Sequence, residues 1–260
     1  MSRIATVFKN AKHKALIAYI TIGYPSLQST TEVATLLAEA GCDIIELGIP
    51  FSDPMADGVT IQNATHQALL NGVTPAKCLE IARQVSSRVS IPLTFMGYLN
   101  PILSYGIESF CADCASSGID GLIIPDLPPG EMPDMETQAR KRDIDIICFL
   151  APNSSDERIK QVAAAARGFI YLVSVTGTTG TRDSFATNLV SFTQRVRHAT
   201  DKPICIGFGI SNREQAAYAA SLADGIIIGS RIIQLMENSS DAYKKLRDFI
   251  TEIRQGIDGS

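Results

Sequence analysis

Three carboxylates, Glu46, Asp53 and Asp57, stand close together in the segment Glu46-Leu-Gly-Ile-Pro-Phe-Ser-Asp53-Pro-Met-Ala-Asp57-Gly58. An apolar run ends on the first, and a loop of Gly, Pro and Ser carries the other two. Two carboxylates held together can take different protonation states and divide acid and base work between them. The competing reading makes Glu46 a strand-end charge with a basic partner and the aspartates turn caps. Glycine clusters later in the chain favour chemistry. Thr176-Gly177-Thr178-Thr179-Gly180-Thr181, Gly207-Phe208-Gly209-Ile210-Ser211 and Ile228-Gly229-Ser230-Arg231 each place small residues behind an apolar run. Such loops let backbone N–H groups approach an oxyanion, and a short helix after the last run points its positive end at it. The first cluster, followed by Arg182 and Asp183, also reads as a lid hinged on its glycines. The residues therefore describe a small phosphate-bearing substrate and an acid/base pair. Turn glycines without a ligand are the alternative.

Other reactive side chains carry less. Asp126 also ends an apolar run, but Pro125 and Pro128-Pro129 around it suggest a turn former or a pocket wall. Cys42, Cys78, Cys148 and Cys205 stand singly beside apolar segments and read as small buried residues. Cys111 and Cys114 have metal-ligand spacing, yet no second pair and no suitably spaced His accompanies them. In a helix that spacing puts both on one packed face. His13, His66 and His198 are scattered, so no metal site is expected.

The elements that must position these groups are legible in the hydrophobic pattern. Apolar runs fall at Ala15–Thr21, Ile44–Ile49, Pro92–Met96, Gly121–Pro125, Asp145–Leu150, Phe169–Val173, Pro203–Gly207 and Gly225–Ile228. Each is nearly continuously apolar, as parallel strands covered on both faces are. Helical spacing marks Thr31–Ala40, Ala76–Val85, Ser109–Gly118, Met132–Lys141, Asp156–Ala165, Leu189–His198 and Arg213–Ala220 between them. Alternation of eight such units predicts an α/β chain folded as one (β/α)8 TIM barrel over residues 1–260. An extra N-terminal helix, Ile4 to Ala11, is expected to cover the barrel floor, and Asp241–Ile257 to close the structure. The barrel rule brings all strand C-termini to one face, so the candidate residues converge there. A faint repeat, Gly41-Cys-Asp43, Gly118-Ile-Asp120 and Ala223-Asp224, ends a helix and launches a strand each time. Its Gly suits a left-handed cap and its Asp a bond to the turn backbone.

Composition excludes several classes. The chain has 260 residues, 45% of them apolar and 19% charged, with net charge −4. That balance offers no basic footprint for nucleic acid, and no apolar run is long enough to cross a bilayer. The N-terminus lacks a signal-peptide cleavage pattern, so the expected location is cytoplasmic.

The segment from Glu46 to Gly58, with Thr60-Ile61-Gln62 after it, resembles the signature of the tryptophan synthase alpha subunit family. The resemblance runs nearly the whole chain: Thr21-Ile-Gly-Tyr-Pro25, Met96-Gly-Tyr-Leu-Asn100-Pro101, Gly118-Ile-Asp-Gly-Leu-Ile-Ile-Pro-Asp126, Tyr171-Leu-Val-Ser-Val-Thr-Gly-Thr-Thr-Gly180 and Gly207-Phe-Gly-Ile-Ser211. It implies retro-aldol cleavage of indole-3-glycerol phosphate to indole and glyceraldehyde 3-phosphate. Position by position, it makes Glu46 the general acid/base and Asp57 the group that stabilises ring charge. Gly180, Gly209, Gly229 and Ser230 match phosphate ligands, and Thr179 matches the lid residue that meets Asp57. Tyr171 supports the pair, while Tyr19, Ile123 and Phe149 match pocket walls. Pro50, Phe51 and Asp53, with the Asn100-Pro101 turn, resemble the surface that docks a beta subunit in an alpha2beta2 complex. No cofactor is implied for this chain; pyridoxal phosphate is expected only in the beta partner. Two positions depart from the family pattern: Val59, commonly Pro, implies a looser loop, and Val175, Arg in some members, bears on coupling to the partner. A stand-alone indole-3-glycerol phosphate lyase, a non-catalytic barrel subunit that activates a synthase, and another phosphate-binding barrel such as an isomerase, which the Glu46/Asp57 loop argues against, are the other readings.

Overall fold

In the computed structural model, the structure describes residues 1–9, 13–173, 182–207 (side chains from 189 on), 209–237 and 241–259. Eight parallel strands run in chain order around a closed barrel, the last pairing with the first. They are β1 (Ala15–Thr21), β2 (Ile44–Gly48), β3 (Leu93–Met96), β4 (Gly121–Ile123), β5 (Asp145–Leu150), β6 (Ile170–Val173), β7 (Ile204–Gly207) and β8 (Gly225–Ile228). Each apolar run forms one strand, so the TIM-barrel expectation holds. Alternate residues along a strand point to opposite faces, which divides the core in two. Ile17, Ile44, Ile123, Ile147, Tyr171, Cys205 and Ile227 meet in an inner cluster. Their neighbours, such as Leu16, Ile45, Leu122, Ile204 and Ile226, pack against the surrounding helices. Both faces are covered, and that is why the strands read as unbroken apolar runs.

The helices are α1 (Arg3–Val7), α2 (Leu27–Glu39), α3 (Val59–Leu70), α4 (Pro75–Ser86), α5 (Leu99–Tyr105), α6 (Ile107–Ser116), α7 (Pro133–Arg140), α8 (Asp156–Ala165), α9 (Arg182–Ala199), α10 (Arg213–Leu222), α11 (Ser230–Met236) and α12 (Ala242–Asp258). Ser2 caps α1 by accepting from the Ala5 N–H at 3.2 Å. Fully buried Ile4 then enters the inner cluster and closes the barrel floor. Gly121 leaves room for it: a Cβ there would stand 2.7 Å from Ile4 Cδ1. Helix α1 ends at Val7, short of the expected Ala11. Two helices were not expected. Helix α3 is rich in Thr, Asn and Gln, which blurs its apolar period, and α5 opens with Leu99-Asn100-Pro101, which reads as a turn. Proline in a first turn lacks only an N–H that has no intrahelical partner there, so the helix forms through it.

The short repeat has a structural meaning different from a turn cap. Each aspartate reaches sideways to the strand before it. Asp43 accepts from Leu16 N–H at 2.8 Å, Asp120 from Leu93 N–H at 3.0 Å and Asp224 from Ile204 N–H at 2.8 Å. Each also holds an arginine: Arg254, Arg3 and Arg197 respectively. Arg254 belongs to α12 and also donates to the Lys14 carbonyl at 2.7 Å. The floor is thus a ring of carboxylate latches between neighbouring strands, away from the end where Glu46 emerges. Gly41 and Gly118 take the left-handed φ expected before these aspartates (104° and 80°). After α7 the same role falls to Asp143 (φ 55°), the one described non-glycine residue with positive φ. Replacing Asp143 with Gly relieves that conformation and is expected to raise stability by about 0.5 kcal/mol, since glycine's larger unfolded-state entropy offsets part of the gain. Urea unfolding of the variant measures it.

The six cysteines are free and buried. Cys111 and Cys114 sit inside α6, with Cys111 Sγ 3.7 Å from Met135 Sδ, and burial pushes both thiols above their ordinary pKa. The pair is packing. Among the described residues no group of His, Cys, Asp and Glu side chains could hold a metal ion.

Candidate active site

Glu46 lies in the middle of β2, paired in register with Tyr19 of β1 and Thr94 of β3. Its side chain is fully buried, and neither carboxylate oxygen has a hydrogen-bond partner among the described residues. It lines a cavity of about 330 Å³ with Tyr19, Met96, Tyr171, Ile61 of α3 and the glycine loops. Burial, and then the charge of Asp57, pushes the Glu46 carboxyl up to about 8. At neutral pH it therefore holds a proton.

Asp57 reaches the same region from the loop after β2. Turn bonds shape that loop, Met55 N–H to the Asp53 carbonyl at 2.9 Å and Asp57 N–H to the Pro54 carbonyl at 3.1 Å. Tyr98, at the start of α5, fixes it from the side. Its hydroxyl accepts from Ala56 N–H at 2.9 Å and donates to the Asp57 carboxylate, and its ring packs 5.4 Å from that of Phe51. Burial raises Asp57 to about 6 while the Tyr98 bond opposes the rise. The two acids are thus separated: one is protonated and the other ionised near pH 7, as in sites where one carboxyl donates and another stays charged.

Two tyrosines wall the acid pair by the same device. A Cβ on Gly48 would lie 2.2 Å from the Tyr19 hydroxyl, and one on Gly207 would lie 2.5 Å from that of Tyr171. Each ring leans over a glycine on the next strand. Burial keeps both phenols protonated, and the nearby acids add to the effect. At the other end of the cavity Gly209, Gly229 and Ser230 line the wall, joined by Ser211 and Arg231.

The remaining sequence candidates distribute unevenly. Gly180 and Thr179, the lid reading and Val175 fall outside the described residues. Ile123 is wholly buried in the inner cluster and does not line the cavity. Phe149 packs on the Tyr171 ring, centroids 4.7 Å apart, and supports that wall from behind. Asp126 accepts from the Leu99 N–H at 2.9 Å, so it caps α5. Asp53 is exposed and held by Ser52. Pro50 is buried as a continuation of β2, so the expected apolar rim shifts to Met55 and Val59, which are 90% and 71% exposed. Asn100 and Pro101 lie in the first turn of α5 and not in a loop. Ile61 and Met96 were missed as site residues. Met96 follows Thr94 by two on β3, so strand alternation alone would have turned it inward.

Comparison with known proteins extends this geometry over the whole chain. Residues 6–258 match the family described as tryptophan synthase alpha chain. The tryptophan synthase alpha chain of Dehalococcoides mccartyi is 55% identical over 258 residues, which cover 99% of this chain and 100% of that one. That of Geobacter sulfurreducens is 44% identical, covering 99% of each. Among solved structures, tryptophan synthase subunit alpha from Legionella pneumophila superposes with a TM-score of 0.92 at 33% identity, covering 100% of both chains. A ligand-free tryptophan synthase from M. tuberculosis gives 0.90 at 34% identity, covering 99% of this chain and 100% of that one. With sequence and fold in agreement from end to end, the chain belongs to the tryptophan synthase alpha chain family, lyases that cleave indole-3-glycerol phosphate.

Proposed function

We propose that Glu46 and Asp57 carry the cleavage of indole-3-glycerol phosphate as an unequal pair. The observation behind this is the split of their protonation states beside one cavity. Glu46 gives its proton to the ring carbon that bears the glycerol chain. The ring then carries a positive charge centred on nitrogen, and ionised Asp57 stabilises it. The Glu46 carboxylate so formed takes the proton of the chain hydroxyl. The carbon–carbon bond breaks, its electron pair returns to the ring, and indole and glyceraldehyde 3-phosphate result. The protonated ring is itself the electron sink, so these steps call for no cofactor or metal. Backbone N–H groups at Gly209, Gly229 and Ser230, with Gly180, hold the phosphate. Tyr19 and Tyr171 flank the ring.

The partner is a tryptophan synthase beta subunit that receives the indole, carries pyridoxal phosphate and completes an alpha2beta2 assembly. Exposed Met55 lies on the loop that carries Asp57, exposed Val59 opens α3 directly after it, and Leu103, 46% exposed, lies on α5. Docking there bears directly on the position of the ring-stabilising acid. No helix among the described residues is long and apolar enough to cross a membrane, and the reading places the chain in the cytoplasm.

Indole release from indole-3-glycerol phosphate, measured on the isolated chain and again with a beta subunit added, tests the assignment. Strong stimulation is expected. High activity unaffected by the partner supports a stand-alone lyase instead, and no activity in either state supports a non-catalytic subunit.

A further inference from the structure

Beneath Glu46, inside the barrel, lies a second buried polar group that the reaction as described does not use. Thr94 is fully buried on β3, and its hydroxyl has no hydrogen-bond partner among the described residues. A buried hydroxyl left unpaired is destabilising, and so is a buried carboxyl. Both occur here on adjacent strands in direct register, Glu46 opposite Thr94. Residues so paired carry their side chains on the same face, about 5 Å apart at Cβ. The methyl of Thr94 is turned toward β4, where Cγ2 stands 3.1 Å from the place a Cβ on Gly121 would take. Beside that methyl lie the side chains of Ile4 and Ile147, which can neither accept nor donate.

We propose that Thr94 is a positioning residue for the reaction: its hydroxyl, not bonded to Glu46 in this structure, turns to donate to the Glu46 carboxylate once that group is the anion that follows proton transfer. The inference rests on the role given to Glu46 above. The groups facing Glu46 are Tyr19 from β1, Asp57 from the loop after β2, Tyr171 from β6 and Cys205 from β7. Asp57 opposes ionisation, and the Tyr19 hydroxyl is engaged with Thr21 at 3.3 Å. A donor from Thr94 supplies what the anion lacks. It favours the charged form and so works against burial.

The test is the pH dependence of kcat/KM in Thr94→Val, which keeps the shape and removes the donor. The upper limb, set by Glu46, is expected to move to higher pH by about one unit. Thr94→Ser is expected to restore the wild-type limb, and Thr94→Ala, smaller than either, to repeat the Val result should Val perturb folding. Superimposable profiles for wild type, Val and Ala overturn the proposal. A ¹³C titration of the Glu46 carboxyl, assigned by its loss in Glu46→Gln, reads the same bond without turnover. If Glu46→Gln stays active, the catalytic reading fails while this titration still decides the hydrogen bond. An unmoved Glu46 titration in Thr94→Val refutes the bond whatever the role of Glu46.

Discussion

Glu46→Gln is expected to lower indole formation by at least about a thousand-fold while making the barrel more stable at neutral pH. Both effects have one origin. The amide fills the same space but neither gives a proton to the ring nor takes one from the chain hydroxyl. Two proton transfers lose their agent, and each is worth about 10²–10⁴ in rate. Stability moves the other way because the folded protein holds Glu46 at about 8, well above its ordinary value of 4.5. The sign follows from which state binds the proton. Below pH 4.5 both folded and unfolded chains carry it, and the contribution is complete. As pH rises toward 8 only the unfolded chain releases it, so wild-type stability falls across that window. By pH 7 the loss is on the order of 3 kcal/mol. Neutral glutamine avoids it, so the variant should gain most of that amount, several degrees in melting temperature. The gap should open near pH 4.5 and level off above 8. Thermal unfolding across pH, beside single-turnover indole release, checks both halves. Normal turnover in the variant would sink the acid assignment, and a stability gap that does not change with pH would sink the burial argument.

Wild-type kcat/KM should trace a bell with limbs near pH 6 and pH 8, and Asp57→Asn should remove the lower one. The wild-type limbs have opposite causes. Below about 6 Asp57 gains a proton and no longer stabilises the ring cation. Above about 8 Glu46 has lost the proton it must give. Asparagine cannot ionise, so falling pH no longer switches it off, and the profile becomes a plateau that declines only at high pH. Its height should drop by about 10²–10³, the usual loss when a fixed electrostatic partner of the transition state is removed. The upper limb should also move down, because the Asp57 charge helps to raise Glu46. A surviving lower limb in the variant would assign that titration to another group.

The barrel was readable because covered parallel strands leave an unmistakable mark: eight apolar runs, eight strands. Helix α8 fell on its expected residues because Ser155 caps it and an apolar face follows. Helix α3 was illegible because its buried face is made of Ala64, Thr65 and Ala68 and not of large apolar residues. Glu46 and Asp57 were legible as a cluster. Their unequal roles came only from the family resemblance; the physical cause was not legible, since it lies in burial depth and in the Tyr98 hydroxyl, whose place beside Asp57 depends on how the loop after β2 lies against α5. Thr94 was invisible for a related reason. Threonine inside an apolar strand is an ordinary β residue until the register shows what stands opposite.

The link between Arg254 and Asp43 also bears on how the protein is made. Asp43 leaves the ribosome early, next to β2, but its guanidinium partner arrives only when α12 is synthesised. Until then β1 and β2 lack that ion pair, and β1 lacks its second neighbour until β8, the last strand, is made. Nascent barrel segments therefore wait with an open sheet edge, a state prone to wrong pairing. Final closure is a late, long-range event, of the kind that slows folding.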